Sequence, residues 1–139
     1  MKTEKTIEML QGETALLRLE EIEVYDDGSG ARALLTINSG YFSCTRYPFY
    51  FDHLDLFSRQ LQNLYRDLKG DCRLGHIYEK DYISLAVDKL GHVTLHGELL
   101  ETGPTQQSLR FEVVVDQTYL GPFISTIEAA MTDLRDSKR

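Results

Sequence analysis

The sequence predicts an α+β domain over residues 1–139, built from an antiparallel sheet of about six or seven strands with two helices packed on one face. Three observations lead there. Apolar residues alternate with period two over several segments, as where Val93, Leu95, Gly97 and Leu99 oppose His92, Thr94, His96 and Glu98. Two other segments repeat at three and four residues, the period of a helix with one apolar stripe. Each helical segment follows directly on a strand, in "YPFYFDHLDLFSRQL" (residues 47–61) and "VVVDQTYLGPFISTI" (residues 113–127).

Taken in order, residues 1–13 read as a flexible or peripheral segment, and with acids placed early and no apolar core they carry no secretory leader. In "ALLRLEEIEV" the apolar phase shifts from Leu17 and Leu19 to Ile22 and Val24, which predicts a bulge or bend near Glu20 and Glu21. Ala33, Leu35 and Ile37 mark the next strand, between the turns "YDDGSG" and "NSG". "YFSCTRYPFYF" crowds six aromatic residues into eleven positions, more than one sheet face can hide, and Pro48 within it predicts an edge strand or a bulge. Leu54, Phe57, Leu61, Leu64 and Leu68 stripe a helix over residues 53–69. Asp52 is its expected N-cap, Arg66 and Lys69 lie in its last turn, and Gly70 is its stop. Residues 71–78 form an extra strand or connector. Two further period-two segments, around residues 93–99 and 109–115, precede a second helix striped by Leu120, Phe123, Ile127, Ala130 or Met131, and Leu134. Pro122 suits its first turn, and Asp116 or Thr118 caps an earlier one. Phe57, Leu61 and Leu64 can be laid over Phe123, Ile127 and Ala130, so the chain reads as a βββα-βββα pseudo-repeat.

Composition excludes several classes. Apolar residues make up 42% of the chain, but their runs are far shorter than the roughly 18 residues that span a bilayer. With no leader and no span, the expected location is cytoplasmic. The net charge of −7 is concentrated near the start: residues 1–30 hold eight acids against three bases. Nucleic-acid binders cluster Lys and Arg, so this balance argues against a nucleic acid and for a basic protein partner. Glu20, Glu21, Glu23, Asp26 and Asp27 are the acidic candidates for that contact. Cys44 and Cys72 lie outside any CxxC or Cys/His metal spacing and read as two reduced thiols.

No motif carries catalysis, a cofactor or a metal. His92 and His96, placed on a strand, stand about 13 Å apart, too far to share one ion. "DDGSG" lacks the later ligands of a calcium loop and the Lys-Ser or Lys-Thr of a phosphate-binding loop, and is a hairpin turn. Glu20 with Glu21 and Asp26 with Asp27 are adjacent, so on a strand they point to opposite faces. The wet face of the sheet, with His92, Thr94, His96, Arg110 and Glu112, is a binding-surface candidate. So are Arg46 and Tyr47 in the aromatic run, because exposed tyrosine beside arginine is typical of protein contacts. An exposed edge strand could also pair two copies across a twofold axis. The competing reading is a small-ligand module with a pocket between helices and sheet; an enzyme has no placed acid, base or nucleophile.

The order of "GYFSC…YPFYFDHLDLFSRQLQNLYRDLKGDCRL", "ISLAVDKLGHVTLHGELL" and "LRFEVVVDQTYLGPFISTI" resembles a family of small uncharacterised bacterial proteins that includes the WapI-type immunity proteins. The likeness runs over residues 16–134 and rests on the spacing of apolar, Gly and Asp residues. It implies a cytoplasmic protein that binds and blocks a toxin delivered by a neighbouring cell, or a relative of unassigned role, and it offers no catalytic residues to carry over.

Overall fold

The computed structural model describes residues 1–137. Nine strands and two helices follow in the order β1 (Lys2–Thr3), β2 (Ile7–Gln11), β3 (Thr14–Val24), β4 (Ala31–Ser39), β5 (Phe42–Phe51), α1 (Leu54–Asp67), β6 (Asp71–Gly75), β7 (Tyr82–Val87), β8 (Val93–Glu101), β9 (Gln107–Val115) and α2 (Leu120–Ser137). A single 3₁₀ turn, Gln117–Tyr119, leads into α2. The α+β class, the antiparallel pairing and the two helices agree with the sequence. The strands are more numerous than the six or seven expected, and they form two sheets in place of one continuous sheet. In the first, β1 and β2 both pair with β3, which continues through β4 to β5; the second runs β6-β7-β8-β9. The ladder stops between β5 and β6, where a lone main-chain bond, from Asp52 N–H to the Gly75 carbonyl at 3.0 Å, joins the two.

Each sheet contains a three-strand meander, flanked at its first member by β1 and β2 in the first sheet and by β6 in the second, and each meander ends in a helix. The halves echo one another as the sequence suggests, and Phe57, Leu61, Leu64, Phe123, Ile127 and Ala130 are all buried. The helices, however, are exchanged. α1 leaves the first sheet yet lies against β6 and α2, with its edge on β7; α2 leaves the second sheet and lies against β1 and β2. One apolar cluster therefore draws on the inner faces of both sheets and on both helices. Residues 1–13 are not peripheral: Ile7 and Met9 are in the core. They are fixed against the far end of the chain, with Glu8 N–H donating to Thr126 Oγ1 at 3.1 Å and the Thr3 hydroxyl donating to Asp133.

The local devices follow from the residues. Glu21 takes φ 51°, and the β3–β4 register slips between Glu20 and Glu23, the predicted bulge, which lets Leu17, Leu19 and Ile22 all face inward. Arg46 takes φ 52° in β5, with a matching slip against β4 two residues before Pro48. Asp116 caps the 3₁₀ turn, its carboxylate accepting from Thr118 N–H at 2.9 Å, which holds its pKa below the ordinary carboxylate value. Asp52 does not cap α1. The N-cap is His53, in the left-handed conformation with no side-chain cap bond, and Asp52 instead lies between the imidazoles of His53 and His76, at 4.0 and 3.9 Å. α1 closes at Leu68, also left-handed, two residues ahead of Gly70.

Two glycines are dictated by neighbours. At Gly97 a Cβ would stand 2.4 Å from the Tyr82 carbonyl oxygen and 2.6 Å from the Phe111 ring, so the glycine makes room for Phe111 over β8. At Gly30, with φ 124°, it would meet the Phe51 carbonyl at 2.9 Å and the His76 ring at 3.1 Å. Gly97→Ala is expected to lower unfolding stability by about 1–3 kcal/mol, the ordinary cost of overpacking. Val114→Ala, on the outer face, should stay within about 0.5 kcal/mol. Urea midpoints of the two variants check the contrast.

Candidate functional site

The candidate residues from the sequence fall on separate places. On the outer face of the first sheet, the bulges at Glu21 and Arg46 flank β4, and their side chains meet across it: the Arg46 guanidinium lies 3.5 Å from Glu20 and 3.4 Å from Glu21. Arg46 N–H also donates to Thr36 Oγ1 at 3.2 Å. Glu23 stands in register between Lys2 and Arg32. Asp26 is exposed, 3.5 Å from the N-terminal ammonium. Asp27 accepts from Ser29 N–H in the β3–β4 turn, and the Ser29 side chain first, then this main-chain bond, lowers its pKa. The acidic run thus follows the second half of β3, an interior strand, and its turn, partly matched by bases.

Tyr47 is half-buried, with its ring against the core and its hydroxyl engaged across the seam. Its hydroxyl donates to the Asp81 carboxylate at 2.6 Å and lies 2.9 Å from the Leu100 carbonyl oxygen, while Asp81 also accepts from Leu100 N–H at 2.8 Å. The side chain bridges β5 to the ends of β7 and β8 across the gap in the ladder. Burial, the hydrogen bond to Asp81 and that carboxylate's negative charge together push its pKa above the ordinary tyrosine value. The rest of the aromatic run divides by face: Phe49 and Phe51 are in the core, whereas Tyr41 and Phe42 are fully and 70% exposed at the β4–β5 turn.

The wet face of the second sheet does bring residues together. His96 stands in register with Ser84 on β7 and Glu112 on β9, and Glu98 with Tyr82 and Arg110. The Tyr82 ring meets His96 edge-on at 5.7 Å between centroids, and the Arg73 guanidinium lies 3.8 Å over the same ring. This stacking is a cation–π contact. Among the described residues, neither Arg73 nor Arg110 has a carboxylate within ion-pair distance. Thr94 lies on the same face, between Ala86 and Val114. His92 does not. It belongs to the β7–β8 turn, where Asp88 accepts from the N–H of Leu90 and of His92 at 2.8 and 2.9 Å and so has a lowered pKa. The turn chemistry of Asp88 ends the alternation one residue earlier than the pattern implies.

Arg73 and Tyr82 were missed by sequence reasoning. The signal was present, as Asp71 and Arg73 alternate with Cys72 and Leu74, and Tyr82, Ser84 and Ala86 with Ile83, Leu85 and Val87, but each run is too short to give a face without its partner strand. His76, on the β6–β7 loop, is anchored structurally. Its Nε2 is 2.9 Å from the Ser29 carbonyl, and its Nδ1 accepts from Tyr78 N–H at 3.2 Å. Cys44 and Cys72 are both free thiols; Cys72 is buried, and that burial pushes its pKa up to about 12.

The sequence model of a family described as the immunity protein WapI-like family matches residues 9–135. No curated protein and no solved structure matches the chain. Among the described residues no helix is long and apolar enough to cross a membrane.

Tyr47→Phe removes a hydrogen bond to a carboxylate and is expected to cost about 1.5–3 kcal/mol. The pH dependence gives a second reading. Because the folded pKa lies above the unfolded value of 10.0, the stabilisation from Tyr47 is complete below pH 10 and is lost as pH rises through the folded pKa. Chemical denaturation between pH 7 and 11 should show that alkaline loss in the wild type and a shallower one in the variant.

Proposed function

The chain belongs to the WapI-like immunity protein family, and on that premise we propose that it is a non-enzymatic protein that neutralises a toxin domain by binding and covering it. The family match over residues 9–135 is the observation that carries this reading. The surface supports it in two ways. Glu21, Asp26 and Asp27 are exposed along the second half of β3 and its turn, with Glu20 and Glu23 behind them, and they suit a partner with a basic surface. Complementary charge of this kind raises the rate of encounter more than the lifetime of the complex. The outer face of the second sheet supplies anchors. Tyr82, held between Arg73 and His96, is the aromatic-and-arginine combination that dominates binding energy in protein interfaces. Thr94, Arg110 and Glu112 surround it as polar rim.

In this reading the protein acts in the cytoplasm of the cell it protects, with a toxin as its partner and no bound cofactor. The decisive experiment co-expresses the chain with a toxin domain found encoded beside its gene. Growth restored by the wild-type chain supports the proposal, and continued killing by a toxin whose partner is present and folded overturns it. For the purified pair, Glu21→Lys combined with Asp26→Lys is expected to slow association by about tenfold at low salt, with the difference shrinking as salt is raised. An unchanged rate would take the acidic run out of the interface. Tyr82→Ala should act on dissociation, weakening the complex by about 2 kcal/mol or more.

A further inference from the structure

The two sheets part beyond Tyr47 and leave a cleft of about 420 Å³. One wall is β5, which pairs with β4 on one side only, so that over residues 42–46 its outward main-chain groups meet no other strand. The opposite wall is the inner face of the β8–β9 hairpin, where Leu99 and Leu109 extend the core toward solvent. Phe42 and Cys44 line the β5 side, and Glu101 and Gln107 stand on the hairpin side.

A free strand edge beside an apolar slot is filled by an extended chain: its backbone pairs with the edge and its alternate side chains enter the slot. A compact small ligand would satisfy the slot and leave the edge unmet. The bulge at Arg46 and the missing N–H of Pro48 end regular pairing on one side, which confines it to about four residues and keeps β5 from open-ended association. The charged residues of the cleft lining are one acid, Glu101, and one base, Arg46. The Cys44 thiol has a raised pKa, from its burial first and then from the negative fields of Glu101 and Asp81. The Arg46 guanidinium is already paired with Glu20 and Glu21, whereas Glu101, which accepts from Gln107, has no ion-pair partner among the described residues.

We propose that this cleft is the docking slot for an extended segment of the toxin, one that alternates apolar with basic side chains and adds as a strand to β5. The proposal rests on the immunity reading and gives it a geometry: the toxin is held by its main chain as well as by surface charge.

Cys44 makes the test direct, because it stands in the cleft wall while Cys72 is buried in the core. With the full chain and the toxin domain used for co-expression, saturating toxin should slow modification of Cys44 by a thiol reagent by about tenfold or more. Protein already carrying a bulky maleimide at Cys44 should lose toxin binding by a similar factor while unfolding cooperatively. If the label disrupts the fold, protection of the unlabelled wild type decides. A toxin that binds the wild type yet leaves Cys44 equally reactive overturns the cleft proposal and leaves the immunity reading standing. A toxin that neither binds the wild type nor is neutralised by it overturns both. Protection of Cys44 that grows with protein concentration in the absence of toxin assigns the slot to a second copy and also overturns the proposal.

Discussion

The exchange of the two helices is the constraint on which the rest of the structure depends. Each meander has one apolar face and ends in a helix with one apolar stripe, and the simplest closure would fold each helix back on its own sheet. Instead, α1 settles on β6 and β7 and α2 on β1 and β2, so neither half can cover its apolar face without the other. The reversal at Asp52 and His53 sends α1 across: His53 takes the left-handed conformation, and the single Asp52–Gly75 main-chain bond holds β5 and β6 at the crossing. The cost of an αL conformation at a non-glycine residue is offset here by the buried stripe that it delivers to the second sheet. One shared core results, and it fixes both outer faces as solvent-facing.

That shared core also explains where a recognition surface can exist. The strand ladder is interrupted between β5 and β6, and the interruption is bridged by side chains. Tyr47 is the strut, spanning the seam with its hydroxyl on Asp81 while its ring packs against the core. The same interruption leaves β5 with an unpaired edge and the β8–β9 hairpin with an uncovered inner end. Beside the seam, Tyr82 opens β7 directly after Asp81 in sequence, so the carboxylate that receives the strut adjoins the half-buried anchor. Rigidity at the seam is therefore rigidity at the surface, which lowers the ordering cost of any contact made there.

Much of the fold could be read from residue patterns, because strand alternation and helix stripes are local consequences of burying one face. The phase change from Leu19 to Ile22 located the Glu21 bulge, and Asp116 was identifiable as a cap. What remained illegible depends on distant partners. "TIEMLQ" holds only Ile7 and Met9 as alternating apolar residues, and nothing nearby reveals that α2 will lie on them. Asp52 has the sequence position of a cap, but the left-handed turn at His53 moves it to the imidazoles of His53 and His76. Tyr47 reads as one aromatic among six, and only the approach of Asp81, 34 positions later, turns it inward. His92 was displaced from the strand by the turn chemistry of Asp88. The surface around Tyr82 required three strands to be in register before it could be seen, so it lay beyond any single segment.

The ties of Thr3 to Asp133 and of Glu8 to Thr126 have a consequence for synthesis. On the ribosome the earliest strands emerge first, and their cover is among the last of the described elements to be made. Ile7 and Met9 on β2 must wait without their cover while more than a hundred further residues are translated, a long loop to close and an interval of exposure to misassociation. Native burial of Ile7 and Met9 is thus a late event in the life of the nascent chain. Holding factors that shield apolar strands during that delay would act on this protein chiefly before α2 is released.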